Sequence, residues 1–282
     1  MANIDIPKIL SAKHDIVFRQ FFADERNLED LAEFLKAVLR LPDDEYEKIE
    51  IVDPNMLPDY SKSKYSVVDV KLYTKSRKVI HIEIQLKVTS ELPKRLVFYM
   101  SKLITEQLGS SEDYEKINRA ISIVITDEKL VKQSPRYNHR FRLYDCEAGV
   151  EFTDLVEINT IELSKLPPAA DGSSLYDWAC FIKADTEEEL NMLQERNPKF
   201  AKPILKLREL SADEKMQYAI EQKLKAERDQ RMFERDAEKR GMKRGIEQGV
   251  EQGVEQERKR LFEMLEKGMS ADEIKLALQG GQ

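Results

Sequence analysis

The sequence predicts a mixed α/β (α+β) body followed by a charged helical tail. Two observations predict the body. Segments with apolar residues at three- and four-residue spacing alternate with segments of strict apolar/polar alternation, and Gly, Pro and β-branched residues punctuate them. A third predicts the tail: from Ser211 onward the chain is nearly all helix formers and contains no proline. The corresponding domains are residues 1–210 and 211–282.

The elements follow in order. Over 28–41, Leu28, Leu31, Leu35, Val38 and Leu39 line one face of a helix, which Pro42 and the acids after it end. Residues 48–52 (KIEIV) form a short strand, closed by Pro54. Residues 65–73 (YSVVDVKLY) and 79–88 (VIHIEIQLKV) alternate apolar and polar side chains and form an antiparallel hairpin through Lys75-Ser76-Arg77. Helical spacing returns over 91–108 at Leu92, Leu96, Tyr99 and Leu103. Residues 120–125 (AISIVI) are an apolar, largely β-branched run, the pattern of a strand covered on both faces. Further strands fall at 140–144 and 152–163, a loop at 167–174, and helices at 187–195 and 199–210. Ser211 with Glu214, and Ser270 with Glu273, have capping-box spacing and would open the tail helix and a last short helix.

Composition bounds the function. The 282 residues carry 46 Lys+Arg and 53 Asp+Glu, a net charge of −7, and 35% are charged against roughly 25% in ordinary globular proteins. Part of the surplus sits in the tail, where residues 223–244 hold nine basic and five acidic side chains, a local +4. Net acidity argues against a protein coated with nucleic acid and confines any such contact to a groove and the basic stretch of the tail. No stretch approaches the ~20 apolar residues of a membrane span, and the N-terminal MANIDIPKILSAKHD lacks an apolar signal core, so the expectation is a cytoplasmic protein. Cys146 and Cys180 are the only cysteines and there are three histidines, which excludes a disulfide scaffold and a Cys-rich zinc site.

The chemistry concentrates in the hairpin. On the second strand Ile80, Ile82, Ile84 and Leu86 point one way, and His81, Glu83, Gln85 and Lys87 the other. A turn centred on Ser76 sets Asp69 opposite Glu83, where cross-strand Cβ atoms lie ~4.5–5.5 Å apart. Two carboxylates there repel unless a cation sits between them, and Mg²⁺ takes carboxylate, carbonyl and water oxygens. The same pattern also fits a plain half-exposed hairpin whose acids are neutralised by Lys71 or Lys87.

Asp69 followed by Glu83-Ile84-Gln85 after a short hairpin resembles the PD-(D/E)XK nuclease superfamily, in particular its transposase or Rpn-type recombination-promoting branch. The opening His14-Asp15-Ile16-Val17-Phe18-Arg19, Arg95 and Tyr99 one helical turn apart, and Glu162-Leu163-Ser164-Lys165 agree with that branch. The resemblance implies a restriction-endonuclease-like αβββαβ core and a metal-dependent DNA endonuclease tied to recombination or mobile elements. Asp69, Glu83 and the Ile84 carbonyl would hold Mg²⁺, with Mn²⁺ as a substitute. Gln85 stands where most of the superfamily has a lysine, and Lys71 would supply the missing charge. His81, Arg95 and Tyr99 would contact DNA. The alternative is a catalytically weakened nuclease fold that binds DNA or protein. Asp59 of the literal Pro58-Asp59 is a rival metal carboxylate. Asp15 reads as an N-cap, Glu33 as a solvated helix face, Cys146 and Cys180 as core thiols, and Trp178 as a core anchor.

In the tail, Gly241, Gly245, Gly249 and Gly253 recur every four residues. Such a stripe drifts ~40° per step around a helix, and each glycine costs about 1 kcal/mol relative to Ala. Close helix–helix contact in a homo-oligomer and a semi-flexible low-complexity repeat both fit the pattern.

Overall fold

The computed structural model describes residues 9–52, 70–109, 111–270 and 273–274. The chain divides into two compact units, residues 1–220 and 221–282. Within the first, the element order is α1 (Asp15–Phe22), α2 (Leu28–Val38), β1 (Glu50–Val52), β2 (Val70–Tyr73), β3 (Val79–Ile84), α3 (Leu92–Thr105), β4 (Ala120–Thr126), β5 (Asn138–Tyr144), β6 (Glu151–Glu162), α4 (Ser174–Lys183), α5 (Glu187–Arg196) and α6 (Ala201–Ala212). The long α7 (Glu214–Glu266) follows. The predicted α-βββ-α-β order is present.

The strands form one mixed sheet in the order β1-β2-β3-β4-β6-β5. β1, β2 and β3 are antiparallel neighbours, β3, β4 and β6 run parallel, and β5 returns antiparallel beside β6. The β2–β3 pairs from Val70↔Ile82 to Tyr73↔Val79 are centred on Ser76, as the sequence predicts. Arg77 absorbs the reversal with φ of 65°, in the left-handed region that few non-glycine residues enter. The Glu45 carboxylate clamps the turn: it accepts from Thr74 Oγ1 at 2.6 Å, Ser76 Oγ at 2.7 Å and Lys78 Nζ. Burial pushes that carboxyl up, but these three donors hold it down at about 2.

β4 is buried along its whole length, as its apolar sequence requires. One face of the sheet lies under α3, where Val79 and Ala120 meet Met100 and Leu103, and Val124 meets Leu92 and Leu96. The opposite face is buried too, at Leu72, Ile80, Ile82, Ile121 and Ile123. β3 is therefore covered on both sides rather than half-exposed. It also ends earlier than its alternation predicts. Gln85 donates once more to Ile125, and the chain then turns away so that Leu86 O accepts from Asp127 and Glu128.

Two helices are not visible in the apolar spacing. α1 is only eight residues long and buries Val17, Phe18, Phe21 and Phe22. Asp15 is its first residue rather than its N-cap, which is His14. α4 buries six of its ten residues, so apolar side chains surround it and no single stripe stands out. Ser173 caps it by accepting from Tyr176 N. Trp178 is the core anchor expected of it, with ring centroids 4.9 Å from Phe200, 5.8 Å from Phe34 and 6.0 Å from Phe22.

The start of the tail also differs from expectation. Ser211 lies inside α6, where its hydroxyl donates to Leu207 O and accepts from Leu10 N. Asp213 caps α7 instead, accepting from Lys215 N and Met216 N at 2.8 and 2.9 Å. Ser270 and Glu273 do make reciprocal capping bonds. Cys146 is exposed rather than a core thiol. Along α7, nothing lies within 4 Å of a side chain built at Gly241, Gly245, Gly249 or Gly253. No described helix is long and apolar enough to cross a membrane.

Candidate active site

Alternation along β3 puts Val79, His81, Glu83 and Gln85 on the face beneath α3, since Val79 packs there. His81 is 3% exposed and Glu83 is 4% exposed. A buried carboxylate is costly unless it is paired, and α3 supplies the partner. Arg95, in the first turn of α3, donates through Nη2 to Glu83 Oε1 and, at 2.6 Å, to Gln85 Oε1. One guanidinium therefore links the two polar residues of the Glu-Ile-Gln triplet. Glu83 Oε2 and His81 Nε2 are buried and have no hydrogen-bond partner among the described residues.

The other predicted residues are placed as follows. Lys71 lies directly across from His81 on β2, and its Nζ is 3.4 Å from Oε2 of Glu106, the C-cap of α3. Its charge thus goes to α3, whereas the cation touching Glu83 and Gln85 is Arg95. His81 is turned inward, as buried as Glu83 beside it. Its burial, and then the positive charge of Lys71, push the imidazole down to about 4, so it is neutral near pH 7. Tyr99 follows Arg95 by one turn, with its ring 5.6 Å from Phe98. Glu33 pairs with Lys36 on an exposed helix face, as expected. Asp69 and Asp59 lie outside the described residues.

A second charged cluster escapes sequence reading. Glu162, at the end of β6, is 0% exposed. It accepts from Leu130 N at 2.8 Å and Val131 N at 3.2 Å and pairs with Lys165 at 2.6 Å, while His139 Nδ1 lies 3.2 Å away with its imidazole held below its ordinary value, first by burial. Lys165 also donates to Val131 O at 2.6 Å. Together they pin the loop after β4 beside the segment that follows Gln85. Between them opens a cavity of about 580 Å³ lined by Thr89, Ser90, Pro93, Lys129, Lys132 and Ser164. It lies beyond the C-terminal ends of β3 and β4, the usual ligand position in parallel α/β sheets. Only the Glu162 to Lys165 spacing hinted at this cluster, through the family resemblance.

The family model described as PD-(D/E)XK nuclease family transposase matches residues 12–237. The chain belongs to the PD-(D/E)XK nuclease family transposases. The match runs past the globular body into the first half of α7, so the start of the tail is part of the family unit. No curated protein and no solved structure matches the chain.

Nucleases of the PD-(D/E)XK family generally use a divalent metal ion. The residues here fit one, because Glu83 offers a buried carboxylate oxygen that nothing described occupies, while its other oxygen is held by Arg95. Hard divalent cations take such oxygens. Among the described residues, no group of three or more His, Cys, Asp or Glu is placed to hold a metal ion.

Proposed function

We propose that this nuclease-family protein is a Mg²⁺-dependent DNA endonuclease acting in recombination or on mobile elements. The observation that carries the reading is the division of Glu83: one oxygen fixed by Arg95, the other buried and open. In this reading Asp69, Glu83 and the Ile84 carbonyl would hold the ion. When bound, the metal polarises the scissile phosphate and lowers the pKa of the attacking water.

The chain's own residues account for the rest. Gln85, held at Oε1 by Arg95, keeps its amide hydrogens for a water or phosphate oxygen. The fixed guanidinium of Arg95 offsets charge developing on the phosphate and takes over from the lysine that Gln85 replaces. Lys129 and Lys132 at the cavity rim lead the DNA backbone toward Glu83 by contacts that position but do not read sequence.

The test is supercoiled plasmid incubated with the purified full chain. The reading expects nicked or linear product with Mg²⁺ or Mn²⁺ and none with EDTA. DNA binding without cleavage in either metal would favour the alternative, a nuclease fold retained as a binding module.

A further inference from the structure

Glu83 Oε2 is not the only unmatched polar atom on this face. His81 Nε2, two residues earlier on the same side of β3, is also buried without a hydrogen-bond partner among the described residues. Such atoms are uncommon in folded proteins and destabilise them unless something supplies a partner. Of the ten such atoms among the described residues, these two, one nitrogen and one oxygen, occupy successive same-face positions on β3. A strand rise of ~3.3 Å per residue separates those backbone positions by only ~6.6 Å, so an imidazole and a carboxylate can close on one ion.

Among the described residues, the neighbours leave this pair open. Across the hairpin, Lys71 is drawn to Glu106. On the other side Ser122 and Val124 of β4 flank His81 and Glu83, and neither carries a charge. From α3, Arg95 engages Oε1 of Glu83 and not Oε2. We propose that His81 Nε2 and Glu83 Oε2 chelate the divalent ion together, and that the imidazole biases the site toward Mn²⁺ over Mg²⁺. Mg²⁺ prefers oxygen donors and sheds water reluctantly, whereas imidazole suits first-row transition ions. The inference rests on the metal-dependent reading above and changes which ion the site selects.

The full-length protein titrated with Mn²⁺ and followed by electron paramagnetic resonance tests it. Electron-spin-echo spectra of the bound ion should show ¹⁴N coupling from one imidazole, absent in His81→Gln. That variant should bind Mn²⁺ about tenfold more weakly, with Mg²⁺ affinity, measured by competition, changed much less. Bound Mn²⁺ without ¹⁴N coupling in the wild type overturns the inference alone and needs no variant to fold. A ¹⁴N signal that survives Glu83→Gln places the ion elsewhere and also overturns it. Absence of any Mn²⁺ or Mg²⁺ binding overturns both this inference and the metal-dependent reading.

Discussion

Glu83→Gln is expected to lower metal-dependent DNA cleavage about a thousandfold, or about 4 kcal/mol of transition-state stabilisation. The substitution keeps the shape and one hydrogen-bonding oxygen for Arg95, so the fold should persist. What it removes is the negative charge that draws a divalent ion into a buried position. Arg95→Met tests the other half of the arrangement. It deletes the cation on Glu83 Oε1 and Gln85 Oε1 while keeping much of the aliphatic stem, and cleavage should fall about a hundredfold. Plasmid nicking rates on circular-dichroism-verified proteins measure both. If Glu83→Gln cleaved at the wild-type rate, the site assignment would be wrong.

The largest expected effect on stability lies on the opposite face of the sheet. Glu157 on β6 is 1% exposed. It is ringed by Arg119, by Arg140 through Nε at 2.8 Å, by Arg142 at 3.5 Å, and by the Asn159 amide at 2.9 Å. Removing the carboxylate leaves Arg140 without its carboxylate partner and Arg119 with only the exposed Asp154, while Arg142 keeps Glu151. Glu157→Ala should therefore cost about 3–5 kcal/mol in chemical denaturation. Burial pushes the Glu157 carboxyl up, but the Arg140 and Asn159 hydrogen bonds and the charges of Arg119 and Arg140 hold it below its ordinary 4.5. A depressed value means the group stabilises fully above about pH 4.5 and loses that contribution as pH falls through the lower folded value. The gap between wild type and Glu157→Ala should therefore be full at pH 7 and shrink on acidification below 4.5. A gap under about 1 kcal/mol at pH 7 would show that the cluster does not hold the sheet.

Much of this arrangement was legible in the sequence. The runs around Ile82 and Ile123 announced their strands because alternation and β-branching constrain few other structures. A turn centred on Ser76 fixed the hairpin register in the described pairs. The family resemblance, carried by Asp69 and Glu83-Ile84-Gln85, agrees with the matched family model. What was not legible depends on which elements meet. Arg95 read as a groove residue because nothing in its helix says that α3 crosses β3 at Glu83. Glu157 sits in a strand whose alternation suggests a solvent-facing acid, and its partners come from β5 and the approach to β4. α4 hid because a helix buried on nearly every side has no polar stripe. Ser211 was misread because its hydroxyl had a better use, accepting from Leu10 N across the fold, which left Asp213 to cap the tail helix.

A divalent ion on Glu83 would be located by anomalous diffraction at the manganese edge from Mn²⁺-soaked crystals of the full chain. The account predicts an anomalous peak within bonding distance, about 2.0–2.5 Å, of Glu83 Oε2, with Arg95 still on Oε1. Crystals with ordered Mn²⁺ elsewhere and none at Glu83 would contradict it.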